Sequence, residues 1–396
     1  ANVLANIAEE FAREVEGRPY LRTAFNQHSL QESEIKDSLS PHNVSQVLTG
    51  AMWDILTGIA TKHLDKNLPI ETDEQDADDQ AEGTTGEDRT VTPDQALWWA
   101  ADRFRRVALQ PLDLCPPCDI QFIDYAKAVI RNDILTNPVD EQGYRPLMLD
   151  VFHKRGLCDC GYQPDREMPK DCKFQSVIKV EKVRFVYHDI ERLSSSRTAA
   201  YYFLSDNRNL LHIPAHQDVR VVDLYDNRKL GAAAERLPRE VILEYGWQEE
   251  VLLENDHDQG LDFDEWQGKA FDLDCGGTLV FDGRGNLMSW LRKPGTEHLT
   301  SEQEQMILQK TKPTKQDQDM LADLAVGRGR KAAVKKYLSE LIKNGLVGPP
   351  QAASGFNDEM KPVTALDEGG VVRFQTTPHL RKQDFDAKEA GWTVNY

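Results

Sequence analysis

The feature that most constrains this chain is a change of hydrophobic period near residue 173. Before it, apolar side chains recur every three or four residues; after it, they alternate. A 3.6-residue period buries one face of a helix and a two-residue period buries one face of a strand. A chain that switches between them is expected to be α+β, a helical part followed by a β-rich part. The helical period is clearest in VSQVLTGAMWDILTGIATKHL, where Val44, Val47, Leu48, Ala51, Met52, Ile55, Leu56 and Ile59 form one broad stripe. Pro41 and Asn43 just ahead of it are start signals. The same period predicts helices in residues 1–16, in PDQALWWAADRFRRVALQPL, in DIQFIDYAKAVIRNDIL and in YRPLMLDVFHKRGL, whose last turn carries basic residues that suit a helix dipole.

Alternation predicts strands in VIKVEKVRFVYHDIE, AAYYFLSD, VRVVDLYD, EVILEYG and GGTLVFDGRGNLMSWLRK, the last turning at Asp282–Asn286. A basic helix, GRGRKAAVKKYLSELIKNG, and a strand, GGVVRFQTT, close the pattern. The segments expected are therefore a helical lobe over 1–157, a β-rich domain over 158–293 and a helical segment with a tail over 294–396. Residues 67–92 carry nine acidic side chains and almost nothing to bury, so they read as a surface insertion. They lack the spaced ligands and turn glycine of an EF-hand calcium loop.

Composition excludes more than it assigns. A net charge of -19 argues against nucleic-acid binding, because a polyanion would be repelled over most of the surface. No apolar run is long enough to cross a bilayer. Six sparse cysteines and an N-terminus without export features make the cytoplasm the expected compartment. Residue 1 is Ala rather than Met, so upstream sequence is an expectation of the same reading.

The sharpest motif is DSLSPHNVSQVLTGAMWDIL, residues 37–56. It resembles the segment of thermolysin-like (gluzincin) metallopeptidases that carries their transition-state histidine. Asp37, His42, Ser45, Val47, Ala51 and Trp53 fall in that family's register, while Ser40-Pro41 and Thr49-Gly50 depart from it. Downstream, Phe122, Lys127, Ile130, Phe152, Gly156 and Leu157 suit the closing helices of the same fold. Leu-Asp-x-Cys-Pro-Pro at 112–117 and the 271–293 hairpin echo bacterial proteins with a similar lobe.

The resemblance implies a zinc-dependent peptidase acting on a peptide or protein substrate. His42 would be the imidazole that hydrogen-bonds the oxyanion, Asp37 the carboxylate that orients it, and Arg22 a substrate-gripping cation. The competing reading of His42 is a capping histidine with Asp37 nearby by chance. The zinc itself is not accounted for. None of the ten histidines begins H-E-x-x-H, and His212 and His216 flank Pro214 with no Glu. The ligands are expected upstream or on a separate chain, and this chain alone is expected to be inactive.

Three other readings remain. The lobe could be a non-catalytic interaction module. Cys115, Cys118, Cys158 and Cys160 could form a four-thiolate zinc site, although Cys158 and Cys160 are only two apart. The basic helix at 327–345 could touch nucleic acid or an acidic partner surface, or could pack its stripe of Val334, Tyr337, Leu338, Leu341 and Ile342 on the domain.

Overall fold

The computed structural model describes residues 6–7, 22–32, 41–65, 92–158, 189–231, 235–256, 258–343, 363–368 and 371–376. The expected insertion at 67–92 lies outside them apart from Thr92, the cap of the helix that follows. The fold is α+β. No described helix is long and apolar enough to cross a membrane. The chain divides into two compact units, each assembled from separated stretches. Unit 1 takes 1–207, 220–245 and 277–292; unit 2 takes 208–219, 246–276 and 293–396.

Unit 1 begins with β1 (Asn6–Ile7) and β2 (Arg22–Thr23), paired antiparallel with Ile7 opposite Arg22. This corrects the helix expected over 1–16 at those two residues, where pairing with a distant strand overrides a local period. Four helices follow: α1 (Pro41–Asp65), α2 (Pro93–Leu109), α3 (Phe122–Thr136) and α4 (Tyr144–Lys154). The starts of the last three are legible in the side chains. Thr92 and Gln95 form a capping box at α2, with Pro93 in the first turn, and Gln121 and Asp124 form one at α3. The carboxylate of Asp140 accepts from the N–H groups of Tyr144 and Arg145 at the start of α4.

The α1 stripe is buried as its spacing predicts. Val47, Ala51, Ile55 and Ile59 have no exposed surface, and they share one core with Ala100, Ile130, Met148 and Phe152. Fully burying a Val or Ile side chain stabilises a fold by about 1.5–3 kcal/mol, so this one seam outweighs any surface ion pair. A second cluster joins Leu114 and Cys115 to Ala128, Ile242, Val280 and Leu291.

Alternation misled at residues 199–206. They form helix α6 (Arg197–Asp206), preceded by the short α5 (Ile190–Ser195), and not a strand. Ser196 caps the N–H of Ala199, and Ala200, Phe203 and Leu204 are buried at helical spacing. Of the strand expected over 177–191, residues 177–188 lie outside the described set, and Ile190 and Glu191 open α5. The other strands stand as β3 (Arg220–Asn227), β4 (Glu240–Leu252), β5 (Ala270–Asp282) and β6 (Leu287–Lys293). They are the antiparallel part of a six-stranded sheet, in which β4 lies between β3 and β5 and β6 pairs with β5. The β5–β6 turn closes where Asp282 N donates to the Asn286 carbonyl, 3.0 Å away.

In unit 2, which takes the later part of β4 and the earlier part of β5, β7 (Val363–Glu368) and β8 (Val371–Thr376) form an antiparallel pair. Strand β8 also runs parallel to β5 at Ala270 and Phe271. The helices here are α7 (Arg208–Leu211), α8 (Ser301–Leu308) and α9 (Lys315–Lys343). Helix α9 starts well before the Gly-Arg-Gly that reads as a boundary. A Cβ at Gly327 would lie 2.2 Å from the carbonyl oxygen of Gly295, so glycine there permits close approach rather than ending the helix. The basic face of α9 is largely engaged. Arg330 donates to the carbonyls of Pro294 and Asp274, Lys331 pairs with Glu249, and Leu338 and Leu341 are buried.

Glu249 is the polar anchor of unit 2. It has no exposed surface, yet it accepts bonds from Thr296 N, Thr296 Oγ1 and Glu297 N and pairs with Lys331 at 3.0 Å. Burial pushes its carboxyl up, but these donors outweigh burial and hold it below the usual carboxylate range. Its stabilising contribution is therefore present above that range and is lost as pH falls through the depressed value. Glu249→Ala is expected to cost about 3–5 kcal/mol in urea denaturation at pH 7. The difference from wild type should shrink below the carboxylate range.

Candidate functional site

The three residues implicated by the resemblance are placed unequally. His42 is the second residue of α1 and Arg22 opens β2; the side chains of both lie outside the described residues, as does all of Asp37. The elements that carry Arg22 and His42 are nevertheless brought together, because β2 lies against α1.

The segment after β2 is tied to α1 through Asn26. Its amide nitrogen donates both to the Thr23 carbonyl at 2.8 Å and to the Gln46 carbonyl, in the second turn of α1, at 3.0 Å. Arg155, the residue that caps α4, completes the tie. Its Nη2 donates to the Asn26 carbonyl and to Asp54 Oδ2, each at 2.6 Å. Its Nη1 donates to Asn26 Oδ1 at 2.9 Å and to the His28 carbonyl at 3.0 Å, and Nε reaches Asp54 at 3.0 Å. The Arg155 carbonyl in turn accepts from Leu30 N. This guanidinium is 2% exposed and has a carboxylate and three oxygens of the 26–28 segment around it. A buried cation satisfied in this way is costly to disturb. Its sequence signal was read only as a basic helix end, whereas the side chain turns inward.

The same contacts require a glycine at position 50. A Cβ at Gly50 would lie 2.7 Å from Asn26 Oδ1 and 2.8 Å from Arg155 Nη1. Thr49-Gly50 therefore leaves room for the guanidinium and the amide. Val47, Ala51, Phe122, Ile130, Phe152 and Leu157 belong to one core, although they span more than a hundred positions.

A second polar cluster, which the sequence did not single out, lies at the β3 end of the unit 1 sheet. A cavity of about 530 Å³ is lined by Glu191, Asp226, Asn227, Arg228 and Arg239. Arg239 is engaged with Glu191, with Asp226 at 2.9 Å and with Ser194 Oγ at 2.8 Å. Asn227 donates to Asp113, which Tyr225 also contacts. Burial raises the Asp113 carboxyl, against the opposing pull of Lys229, Asn227 and Tyr225. Burial, then Asp223 and Asp113, raises Glu244. The group can hold protons above the usual carboxylate range, while Arg239 and Lys229 are already spent on internal pairs. Two signals existed: the alternation of Asp223, Tyr225 and Asn227 along β3, and Asp113 within the Leu-Asp-x-Cys-Pro-Pro stretch.

The cysteines expected as one alternative metal set do not assemble among the described residues. Cys115 and Cys158 are buried in two different hydrophobic clusters, and Cys160 lies outside the described set. Burial pushes the Cys115 thiol up to about 12, and its Sγ lies 3.6 Å from the Pro111 carbonyl. It is a packed thiol rather than a thiolate ligand. No three His, Cys, Asp or Glu side chains among the described residues gather into a metal-binding group.

Gly50→Ala is expected to lower stability by about 1–3 kcal/mol, because the new methyl must displace Asn26 or Arg155. Thermal melting of the variant against wild type reads the loss. No protein family, curated protein or solved structure matches the chain.

Proposed function

We propose that residues 1–157 form the His-bearing lobe of a zinc-dependent peptidase acting on a peptide or protein substrate. The observation that supports this most is the tie made by Asn26 and Arg155. It fixes the segment after Arg22 to the helix whose first turn carries His42. In this reading the imidazole N–H of His42 donates to the oxygen that becomes negative as the peptide carbonyl is attacked. Such a donor acts because it bonds the developing charge more strongly than the ground-state carbonyl. Asp37 orients the ring and favours its protonated form, and Arg22 grips the substrate.

The described residues offer no donor set for zinc, and the sequence contains no H-E-x-x-H. In this reading the metal is held by residues outside these 396, on an upstream stretch or a separate chain, and the compartment is the cytoplasm. The missing motif also favours a second reading, in which the lobe is a non-catalytic interaction module.

Elemental analysis of the natural protein beside the 396-residue chain separates these readings. One zinc in a longer natural protein and none in this chain is the expected result. No zinc in either would overturn the peptidase reading in favour of the interaction module, and zinc in this chain alone would overturn the placement of the ligands.

A further inference from the structure

Unit 2 contains two histidines whose rings are stacked. The centroids of His212 and His298 lie 5.4 Å apart, with their planes 13° from parallel. Three stretches of chain meet there. His212 follows α7, His298 lies between β6 and α8, and Met320 and Asp323 belong to α9.

Hydrogen bonds fix where the protons sit. Asp323 Oδ2 lies 2.6 Å from His212 Nδ1, and an ionised carboxylate only accepts, so Nδ1 carries a proton. His298 Nε2 lies 3.0 Å from the Met320 carbonyl, which also only accepts, so Nε2 carries the proton of the neutral ring. That leaves Nδ1 of His298 as a lone pair, buried and with no hydrogen-bond partner among the described residues.

A second proton on His298 would put an N–H where no described acceptor waits. It would also place a cation against a ring that already uses the neighbouring carboxylate. Asp323 and Glu249 attract such a proton, but Asp323 is bonded to His212, and Glu249 is neutralised by Lys331 and bonded by Thr296 and Glu297. Glu297, next in the chain, already accepts from His216 and Gln217. Burial, together with repulsion from His212, holds His298 below the ordinary histidine value. The backbone at His212 adds strain, with φ at 53°, in the left-handed region that a non-glycine residue rarely occupies.

We propose that the His212–His298 stack is an acid-released latch. At neutral pH it holds α9 to the loop before α8 and to the residues after α7; protonation of His298 lets these contacts go. Because the folded-state value lies below the unfolded one, the opened form binds the proton more tightly. The latch is therefore fully closed above the ordinary value of 6.5 and weakens as pH falls through it. One proton changes the opening constant by at most about tenfold per pH unit.

Amide hydrogen exchange of the 396-residue chain at pH 7.5 and 5.5, corrected for intrinsic rates, tests this with wild type and His298→Gln. Glutamine can donate to the Met320 carbonyl but cannot titrate. Wild type is expected to exchange about tenfold faster over 294–300 and 315–326 at the lower pH, and His298→Gln to exchange equally at both. A wild type without pH dependence, or a variant with the same dependence, overturns the latch. Should the variant fail to fold, an NMR titration of His298 in wild type decides. A midpoint below 6.5 supports the latch, and a midpoint at or above it overturns the latch.

Discussion

The helical lobe of unit 1 depends on one buried cation. Arg155 stands at the end of α4, yet its guanidinium is spent on Asp54 of α1 and on the backbone and side chain of the 26–28 segment. Removing a full charge from water is unfavourable unless geometry returns the lost hydration, and here all three guanidinium nitrogens have oxygen partners. The consequence is directional. A segment with almost no secondary structure of its own is locked to α1, and with it the short β1–β2 pair. Apolar burial supplies most of the stabilisation of the lobe, but it is non-directional; the arginine selects which loop meets which helix.

Unit 2 uses the same physics with the opposite sign. Glu249 is an anion without exposed surface, surrounded by two backbone N–H groups, a hydroxyl and Lys331. It fixes the loop that follows β6, which also carries the histidine stack, and Gly327 lets α9 approach the same loop. In both units a buried charge, rather than a longer helix or strand, sets the path of an irregular segment. Removing either partner leaves a charge without hydration, so such pairs confer specificity of conformation more than net stability.

Much of this architecture was legible in the residues. The α1 stripe, the period of α2 and α3 and the β5–β6 hairpin follow from spacing and turn chemistry alone. Misreadings came where a short apolar run fits two periods. AAYYFLSD alternates only loosely, and the cap at Ser196 decides for helix. The path of Arg155 could not be read, because its partners are more than a hundred positions away and no local rule links them. His298 gave no signal for the same reason: a histidine among polar residues reads as exposed until the fold places His212 over it. Gly50 and Gly327 looked like a departure from a pattern and a helix boundary, yet each is a point of close approach.

The functional reading joins a motif to this framework: the resemblance in residues 37–56 names His42, and the Arg155 tie fixes the helix that carries it. It is tested most directly by steady-state hydrolysis of an internally quenched peptide by the zinc-loaded natural protein and its His42→Ala variant. The account predicts that kcat falls on the order of 10²–10³ while zinc content stays unchanged. Equal turnover by the two proteins, with zinc bound in both, would contradict it.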